Sequence, residues 1–203
     1  MASPIFSPRP QCWTCFKPRI ACVCAAIAPV ANRTGVTILQ HPRERFHAVG
    51  TARIARLGLE RVHVEACWPW SDLAPLRAAL PARTALLYPS AGARELGALP
   101  AAARPRHLIV LDGTWFLAKK LYDGQAWLHA LPHVSLTPAR PSGYGTVRRE
   151  PRAGYVATIE AIVEALQHLE PDTLGLDGLL GVFAQMVARQ AAFMGQGERG
   201  VGG

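Results

Sequence analysis

Short apolar runs alternate along the chain with segments in which apolar residues recur at helical spacing. The runs predict five strands, at 35–40, 61–68, 84–88, 107–111 and 133–136. Helical periodicity, with capping residues, Gly or Pro at the ends, predicts helices at 43–57, 71–80, from 116 onward, 154–169 and 177–193. Because strands alternate with helices, we expect an α/β fold with a mainly parallel sheet.

The fourth predicted strand ends abruptly in Asp112, Gly113, Thr114 and Trp115 before a helix begins. In open α/β sheets, ligands bind in the crevice at the carboxyl ends of the strands, so an acid at this place is positioned for chemistry. The alternative is that Asp112 only caps the following helix. This junction is the candidate site around which the rest of the chain is organised.

The chain has 203 residues, enough for one globular domain with a small appendage, and carries a formal charge of +8. The charge favours a polyanionic partner such as nucleic acid, although an arginine-rich solvated surface would give the same balance. No apolar run approaches the roughly 18 residues needed to span a bilayer. The N-terminus also lacks a secretory pattern. We therefore expect a cytoplasmic protein with no membrane partner.

Four of the five cysteines form two close pairs, Cys12 with Cys15 and Cys22 with Cys24. Two pairs of thiolates are typical of a tetrahedral structural zinc site, although the second pair is more closely spaced than usual. A redox dithiol is the alternative, but it would not explain the second pair. The remaining Cys67 follows a strand pattern and is expected to be a buried core thiol.

The predicted organisation therefore has four parts. Residues 1–11 form a disordered lead-in, 12–34 the zinc-binding segment, 35–194 the main α/β domain and 195–203 a flexible glycine-rich tail. Within the main domain, the stretch 137–154 is rich in proline, glycine and arginine. A loop of this length inside a compact domain is usually functional or disordered.

Four motifs stand in order along the chain. They are the four-cysteine segment; His41-Pro42-Arg43-Glu44; Leu111-Asp112-Gly113-Thr114-Trp115; and Ser142-x-Tyr144 followed by Arg148-Arg149-Glu150-Pro151 and Ala157-Thr158-Ile159-Glu160-Ala161. In this order and spacing the set closely resembles the DTW-domain family, the tRNA-uridine aminocarboxypropyltransferases. The resemblance covers nearly the whole chain, and the ordered set is hard to obtain by chance although each motif alone is weak.

The resemblance implies an S-adenosylmethionine-dependent enzyme with a SPOUT-like core, in which the chain forms a trefoil knot. Such an enzyme transfers the 3-amino-3-carboxypropyl group to N3 of a tRNA uridine and releases methylthioadenosine. A SPOUT-like RNA methyltransferase and a non-enzymatic zinc-containing RNA-binding protein are the two alternatives. Both a monomer and a homodimer are compatible with the sequence.

The resemblance also implies the residues of the site. Asp112 would accept the uridine N3 proton or position the cofactor, and Trp115 would stack on adenine or uracil or fill the core. Gly113 would let the backbone approach the ligand closely. Ala157 replaces the serine usual in the family, which puts one hydrogen bond in doubt. The expected cofactor-binding residues are Tyr88, Pro89, Ser90, Leu111, Asp112, Gly113, Thr114, Arg149, Glu150, Thr158 and Glu160.

Basic residues near the strand ends predict a surface for tRNA, because backbone contacts dominate nucleic-acid affinity. The candidates are His41, Arg43, Arg45, Arg53, Lys119, Lys120 and Arg148. Each arginine has a solvated surface position as its alternative, and His41 has a capping role in its own helix. Arg148 could instead clamp the carboxylate of the methionine moiety. The zinc segment would either touch RNA or only brace the core.

Overall fold

The structure, a computed structural model, describes residues 10–138, 140–145, 147–148 and 154–199, with side chains as far as residue 193. Its centre is a six-stranded sheet in which every pairing between neighbouring strands is parallel. The strands are β1 Gly35–Gln40, β2 Val62–Ala66, β3 Thr84–Leu87, β4 Arg94–Glu95, β5 His107–Asp112 and β6 His133–Ser135. The predicted α/β class with a mainly parallel sheet is confirmed.

The strand order, β2-β1-β5-β3-β6-β4, puts β1 and β3 on either side of β5. In the β1–β5 register, Gly35 pairs with His107 and Gln40 with Asp112. The two strands therefore end together, and their last side chains lie next to each other at the carboxyl edge of the sheet.

Within the described residues, five α-helices cover both faces of the sheet. They are α1 Ala52–Gly58, α2 Ala74–Ala79, α3 Trp115–Gly124, α4 Thr158–Leu169 and α5 Leu176–Arg199. On one face, Val36 and Ile38 of β1 pack in a cluster with residues of α1, α4 and α5. On the other face, Leu39 packs with Leu121 of α3. This alternation along β1 follows from the two-residue period of a strand and produces three layers.

The predicted helix 43–57 is wrong as a single element. The chain instead forms a 3₁₀ turn, Pro42–Glu44, and starts α1 only at Ala52. Between them, the carbonyl of His47 accepts a hydrogen bond from Arg53, and that of Ala48 accepts one from Lys17. The backbone also makes successive tight turns here, with His47 N donating to the carbonyl of Glu44 and Gly50 N donating to the carbonyl of His47, so it does not form a continuous α-helix.

Other boundaries differ from the predicted ones by a few residues. The helix predicted from 154 begins at Thr158, and the last helix extends past Phe193 to Arg199. The two-residue strand β4 was not predicted because it is too short to show a period. Residues 1–9 and 200–203, which make up most of the predicted disordered ends, lie outside the described residues. Among the residues described, no helix has both the length and the hydropathy to cross a bilayer.

Candidate active site and metal site

Asp112, the last residue of β5, is 5% exposed and both of its carboxylate oxygens accept hydrogen bonds. Gln40 Nε2 donates to Oδ2 at 2.8 Å, and Thr158 Oγ1 donates to Oδ1 at 2.6 Å. The two donors come from the end of β1 and the first residue of α4. Three segments distant in sequence therefore fix the orientation of one carboxylate.

A cavity of about 330 Å³ opens beside this carboxylate. Its lining includes Asp112, Thr158, Tyr144 and Arg148. The Tyr144 hydroxyl donates to the carbonyl of Val49 at 2.9 Å, and burial raises the pKa of Tyr144, so this hydroxyl keeps its proton. We call this cavity the polar compartment, because its lining includes an acid, several hydroxyl-bearing residues and a guanidinium.

Arg148 is the cation of the polar compartment. Its Nη1 lies 3.6 Å from Oε2 of the buried Glu44, and its guanidinium lies 5.6 Å from the centre of the Tyr144 ring. A guanidinium anchored in this way keeps donors available for a carboxylate or phosphate, since it carries five N–H groups. Arg149 and Glu150, the neighbouring predicted cofactor ligands, lie outside the described residues.

A second cavity of about 190 Å³ lies on the β3 side. Its walls are mainly apolar and include Leu87, Tyr88, Pro89, Val110 and Leu111. We call it the apolar compartment. Its residues come from the ends of β3 and β5, where the fold predicts a ligand crevice.

The two compartments meet at a stacked aromatic pair. The rings of Trp115 and Tyr155 lie 3.6 Å apart at an interplanar angle of 19°. Both residues line both cavities, together with Gly113, Val156 and Thr158. The sequence analysis missed Tyr155. Its only local signal is an aromatic residue directly before a strong helix, and its partner lies 40 positions away.

Two predicted residues after β5 also have structural roles. The Thr114 hydroxyl accepts a hydrogen bond from Leu117 N at 3.3 Å, so Thr114 caps α3 while lining the polar compartment. A Cβ at position 113 would lie 3.0 Å from the Leu117 Cβ. A side chain at this position would therefore crowd the first turn of α3.

Ser90 and Glu160 line neither compartment, and both are hydrogen-bonded to other residues of the protein. The Ser90 hydroxyl is hydrogen-bonded to His133 Nδ1 at 2.7 Å. Glu160 Oε2 accepts from Ser142 Oγ and Ala157 N, and Oε1 accepts from Gly143 N. Glu160 thus ties the 142–143 loop to the start of α4, which preserves the acidic half of a capping box although Ala157 lacks the hydroxyl half.

The predicted RNA-binding residues divide into two groups. Arg43, Arg45, Lys119 and Lys120 are exposed, as a solvent-facing basic surface requires. His41 is buried, and its Nδ1 accepts a hydrogen bond from Arg43 N, which is the capping alternative. Arg53 Nη1 donates to the carbonyl of Cys15, so its guanidinium holds the N-terminal segment.

The sulfur atoms of Cys12, Cys15, Cys22 and Cys24 all lie within 4.8 Å of one another. The Cys12–Cys24 and Cys15–Cys22 separations are 4.0 and 3.7 Å. A tetrahedral ion with Zn–S bonds of about 2.3 Å requires S···S separations of about 3.8 Å. The four cysteines therefore form a cluster that could hold a metal ion.

Comparison with known proteins gives the family. The DTW domain model matches residues 9–191. The chain belongs to the DTW-domain family. It is 34% identical over 170 residues to the Drosophila melanogaster protein named tRNA-uridine aminocarboxypropyltransferase 2, covering 80% of this chain and 67% of that one.

Two further relatives carry related names. Identity is 29% to the Mus musculus tRNA-uridine aminocarboxypropyltransferase 2, over 85% of this chain and 60% of the relative. Identity is 28% to the Arabidopsis thaliana tRNA-uridine aminocarboxypropyltransferase A, over 92% and 83%. The chain thus spans about three fifths of the mouse protein and about two thirds of the fly protein. No solved structure matches the chain.

Proposed function

We propose that this DTW protein transfers the 3-amino-3-carboxypropyl group of S-adenosylmethionine to N3 of a tRNA uridine, with methylthioadenosine as the co-product. The observation that carries the proposal is the pair of compartments that meet at Trp115 and Tyr155, with Asp112 on the polar side. The names of the relatives support the reaction, and the net charge of +8 supports an RNA substrate.

The two compartments differ in polarity, as the two ends of S-adenosylmethionine do. The apolar walls after β3 and β5, with Tyr88 and Leu111, suit the adenosine end. The hydroxyls, the carboxylate and Arg148 of the polar compartment suit the amino and carboxylate groups of the other end. When bound, S-adenosylmethionine supplies a carbon electrophile that its sulfonium already activates.

Asp112 is assigned the role of the base that accepts the proton from N3 of the uridine. Gln40 and Thr158 each donate to one of its oxygens, which leaves a further lone pair on each oxygen to accept a proton. A base must lie within hydrogen-bond reach of the proton that it accepts, and two fixed donors hold Asp112 in one orientation at the cavity wall. Trp115 is assigned to stack on a base, because its ring lines both compartments.

The proposal extends to a zinc ion at the cysteine cluster, to a knotted core and to the location of the protein in the cell. The sulfur separations suit Zn²⁺ held by four thiolates, and the buried Lys17 and Arg53 beside them suit the net negative charge of such a centre. A SPOUT-like knotted core would fit the adjacent parallel strands β3 and β5, whose ends line one compartment. A cytoplasmic location is part of the same proposal.

The deciding experiment is mass spectrometry of nucleosides from unmodified tRNA incubated with the protein and S-adenosylmethionine. We expect a gain of about 101 Da on a uridine, together with methylthioadenosine. A gain of about 14 Da with S-adenosylhomocysteine would overturn the proposal in favour of a methyltransferase. Absence of both transfer and cofactor binding would leave a zinc-containing RNA-binding protein.

A further inference from the structure

Two tryptophans after β2 form an exposed stacked pair. The rings of Trp68 and Trp70 lie 5.4 Å apart and within 4° of parallel. Trp70 is 77% exposed and Trp68 is 37% exposed. Large aromatic rings are usually buried in a soluble domain, so a flat aromatic face in solvent indicates a contact surface.

The loop that carries this pair is held rigidly. Trp68 N donates to Ser71 Oγ at 2.9 Å, and Ser71 N donates back to the carbonyl of Trp68. The buried Gln125 donates through Nε2 to the carbonyls of Pro69 and Ser71 at 3.0 and 2.9 Å. A Cβ at position 124 would lie 2.6 Å from Pro69, so Gly124 lets α3 end directly against the loop. The aromatic face is therefore preorganised, which lowers the entropic cost of binding.

The pair lies on the same edge of the sheet as Asp112. Because β2 is next to β1 and β1 is next to β5, the segments after these strands are neighbours. The His41 ring meets the Trp68 ring edge-on at 5.0 Å, and His41 N donates to the carbonyl of Asp112 at 2.8 Å. A single residue thus links the aromatic pair to the candidate catalytic strand end.

Two cations, Arg43 and Lys120, lie near His41, together with the buried carboxylate of Glu44. Arg43 and Lys120 both act electrostatically on His41 and lower its pKa, although burial is the larger cause. Lys120 also lies 4.4 Å from the ring of Phe116, an exposed aromatic residue in the lining of the polar compartment. Exposed rings interleaved with cations are the arrangement that binds single-stranded nucleic acid, with stacking for bases and charge for phosphates.

We propose that the exposed face of Trp70 stacks on an unpaired base of the RNA, one that flanks the modified uridine. This inference rests on the proposed function and adds to it a second base site outside the two compartments. The occupant is a single-stranded RNA base rather than a protein side chain, because the rings occur together with Arg43 and Lys120 at the edge where the nucleotide must enter.

The first test compares three replacements of Trp70 by the dissociation constant for unmodified tRNA. Trp70→Ala is expected to weaken binding roughly tenfold, in line with the stacking of one base. Trp70→Phe keeps an aromatic face and should stay within about threefold of wild type, whereas Trp70→Leu keeps apolar volume and should behave like alanine. Leu174→Ala, which removes an exposed apolar side chain elsewhere on the surface, is the control and should retain wild-type affinity.

The second test locates the base with an RNA loop in which one nucleotide at a time is abasic. At the stacked position, wild type should lose roughly tenfold in affinity and Trp70→Ala should lose nothing further. The proposal would be overturned if the effects of Trp70→Ala and of the abasic substitution on affinity were additive at every position. It would also be overturned if the Trp70→Leu variant bound tRNA like wild type.

The failure of this inference is separable from the failure of the proposed function. Binding of S-adenosylmethionine should be the same in wild type and in every Trp70 variant, because the pair lies outside both compartments. If wild type modifies tRNA and Trp70→Ala does so with unchanged affinity, only the stacking proposal falls. If wild type binds tRNA but transfers nothing, the proposed function falls.

Discussion

The cysteine cluster and the strand-end site are both groups of polar side chains, but they are assembled in opposite ways. The cysteines come from one segment, residues 12–24, that has only short 3₁₀ turns of its own. The strand-end site combines Gln40, Asp112 and Thr158 from three separate segments of the α/β domain. In the first region, a metal ion bound by the cysteines would hold a short segment in place. In the second region, the folded chain holds the polar side chains together.

The charge environments differ as well. Burial raises the pKa of Cys15 and of Cys24, which makes a cluster of thiolates costly unless a cation binds among them. The Asp112 carboxylate instead has a protein donor at each oxygen. The cysteine region is thus a cluster within one segment that could hold a metal ion, whereas hydrogen bonds between distant segments assemble the strand-end site. Four changes to the protein test this contrast.

Asp112→Ala is expected to cause the largest loss. If the carboxylate accepts the N3 proton, its removal should lower the rate of transfer by about 10²- to 10⁴-fold. The change also leaves the donors of Gln40 and Thr158 without their acceptor, so thermal unfolding is measured alongside to confirm that the variant is folded. The measurements are single-turnover transfer to tRNA and S-adenosylmethionine binding, which should be largely kept.

The exposed acid Asp123, which pairs with Lys119 on α3, provides the matched control. Asp123→Asn should transfer at the wild-type rate. Near-wild-type turnover by Asp112→Ala would remove the proton-accepting role from this residue.

Thr158→Val should have the next largest effect. It removes the 2.6 Å hydrogen bond to Asp112 Oδ1 but keeps the shape of the side chain. A hydrogen bond to a charged group contributes about 1.5–3 kcal/mol, so transfer should slow by about 10- to 100-fold. Thr158→Ser retains the hydroxyl and should recover most of the rate. A rate that is lost in Thr158→Ser but kept in Thr158→Val would mean that the methyl group, and not the hydrogen bond, supports the site.

The sequence predicts these two regions to different extents. All four cysteines could be found from spacing alone, because their ligand atoms belong to one short segment. Asp112 and Thr158 were found through motifs, but Gln40 was missed. Its role follows from the register of β1 against β5, a pairing of residues 72 positions apart that no local pattern specifies. For the same reason, the stack of Trp115 on Tyr155 appears only in the folded chain.

The split of the predicted helix 43–57 has a similar origin. Its apolar positions suit a helix, but this stretch is bonded to the cysteine segment: Lys17 donates to the carbonyl of Ala48, and Arg53 donates to the carbonyl of Cys15. Tertiary contacts outweigh helix propensity in such cases, because propensity differences amount to less than about 1 kcal/mol per residue. The strands were predicted more closely, since buried apolar runs are local in sequence.

Removal of the metal tests the contrast directly. Cys15→Ser, or a chelator, should loosen residues 12–34 and cost about 2 kcal/mol, which lowers the Tm by about 4–8 °C. Binding of S-adenosylmethionine should be unchanged, because neither compartment includes a cysteine. Metal content by mass spectrometry and thermal unfolding are the measurements.

The fifth cysteine supplies the control for the metal experiment. Cys67 is buried in the core on the α3 side of the sheet, apart from the cluster. Cys67→Ala should keep the full metal content. If metal removal abolished S-adenosylmethionine binding, the strand-end site would depend on the ion, and the two regions would not be independent.

The smallest expected effect is the pH dependence of His41, which caps its 3₁₀ turn through Nδ1. Burial, with Arg43 and Lys120, lowers the pKa of His41 below 6.5, whereas Glu44 acts in the opposite direction. As the pH falls below 6.5, the unfolded chain binds the proton first, so the free energy of unfolding decreases. His41→Asn keeps a capping acceptor without a titrating group. It should therefore lose less free energy of unfolding between pH 7.5 and pH 5, measured by urea unfolding.

Metal release at low pH would affect both proteins alike, so the difference between their slopes of unfolding free energy against pH isolates His41. Identical slopes would mean that His41 titrates alike in the folded and unfolded chains, and the pH sensitivity would then belong to the cysteine region.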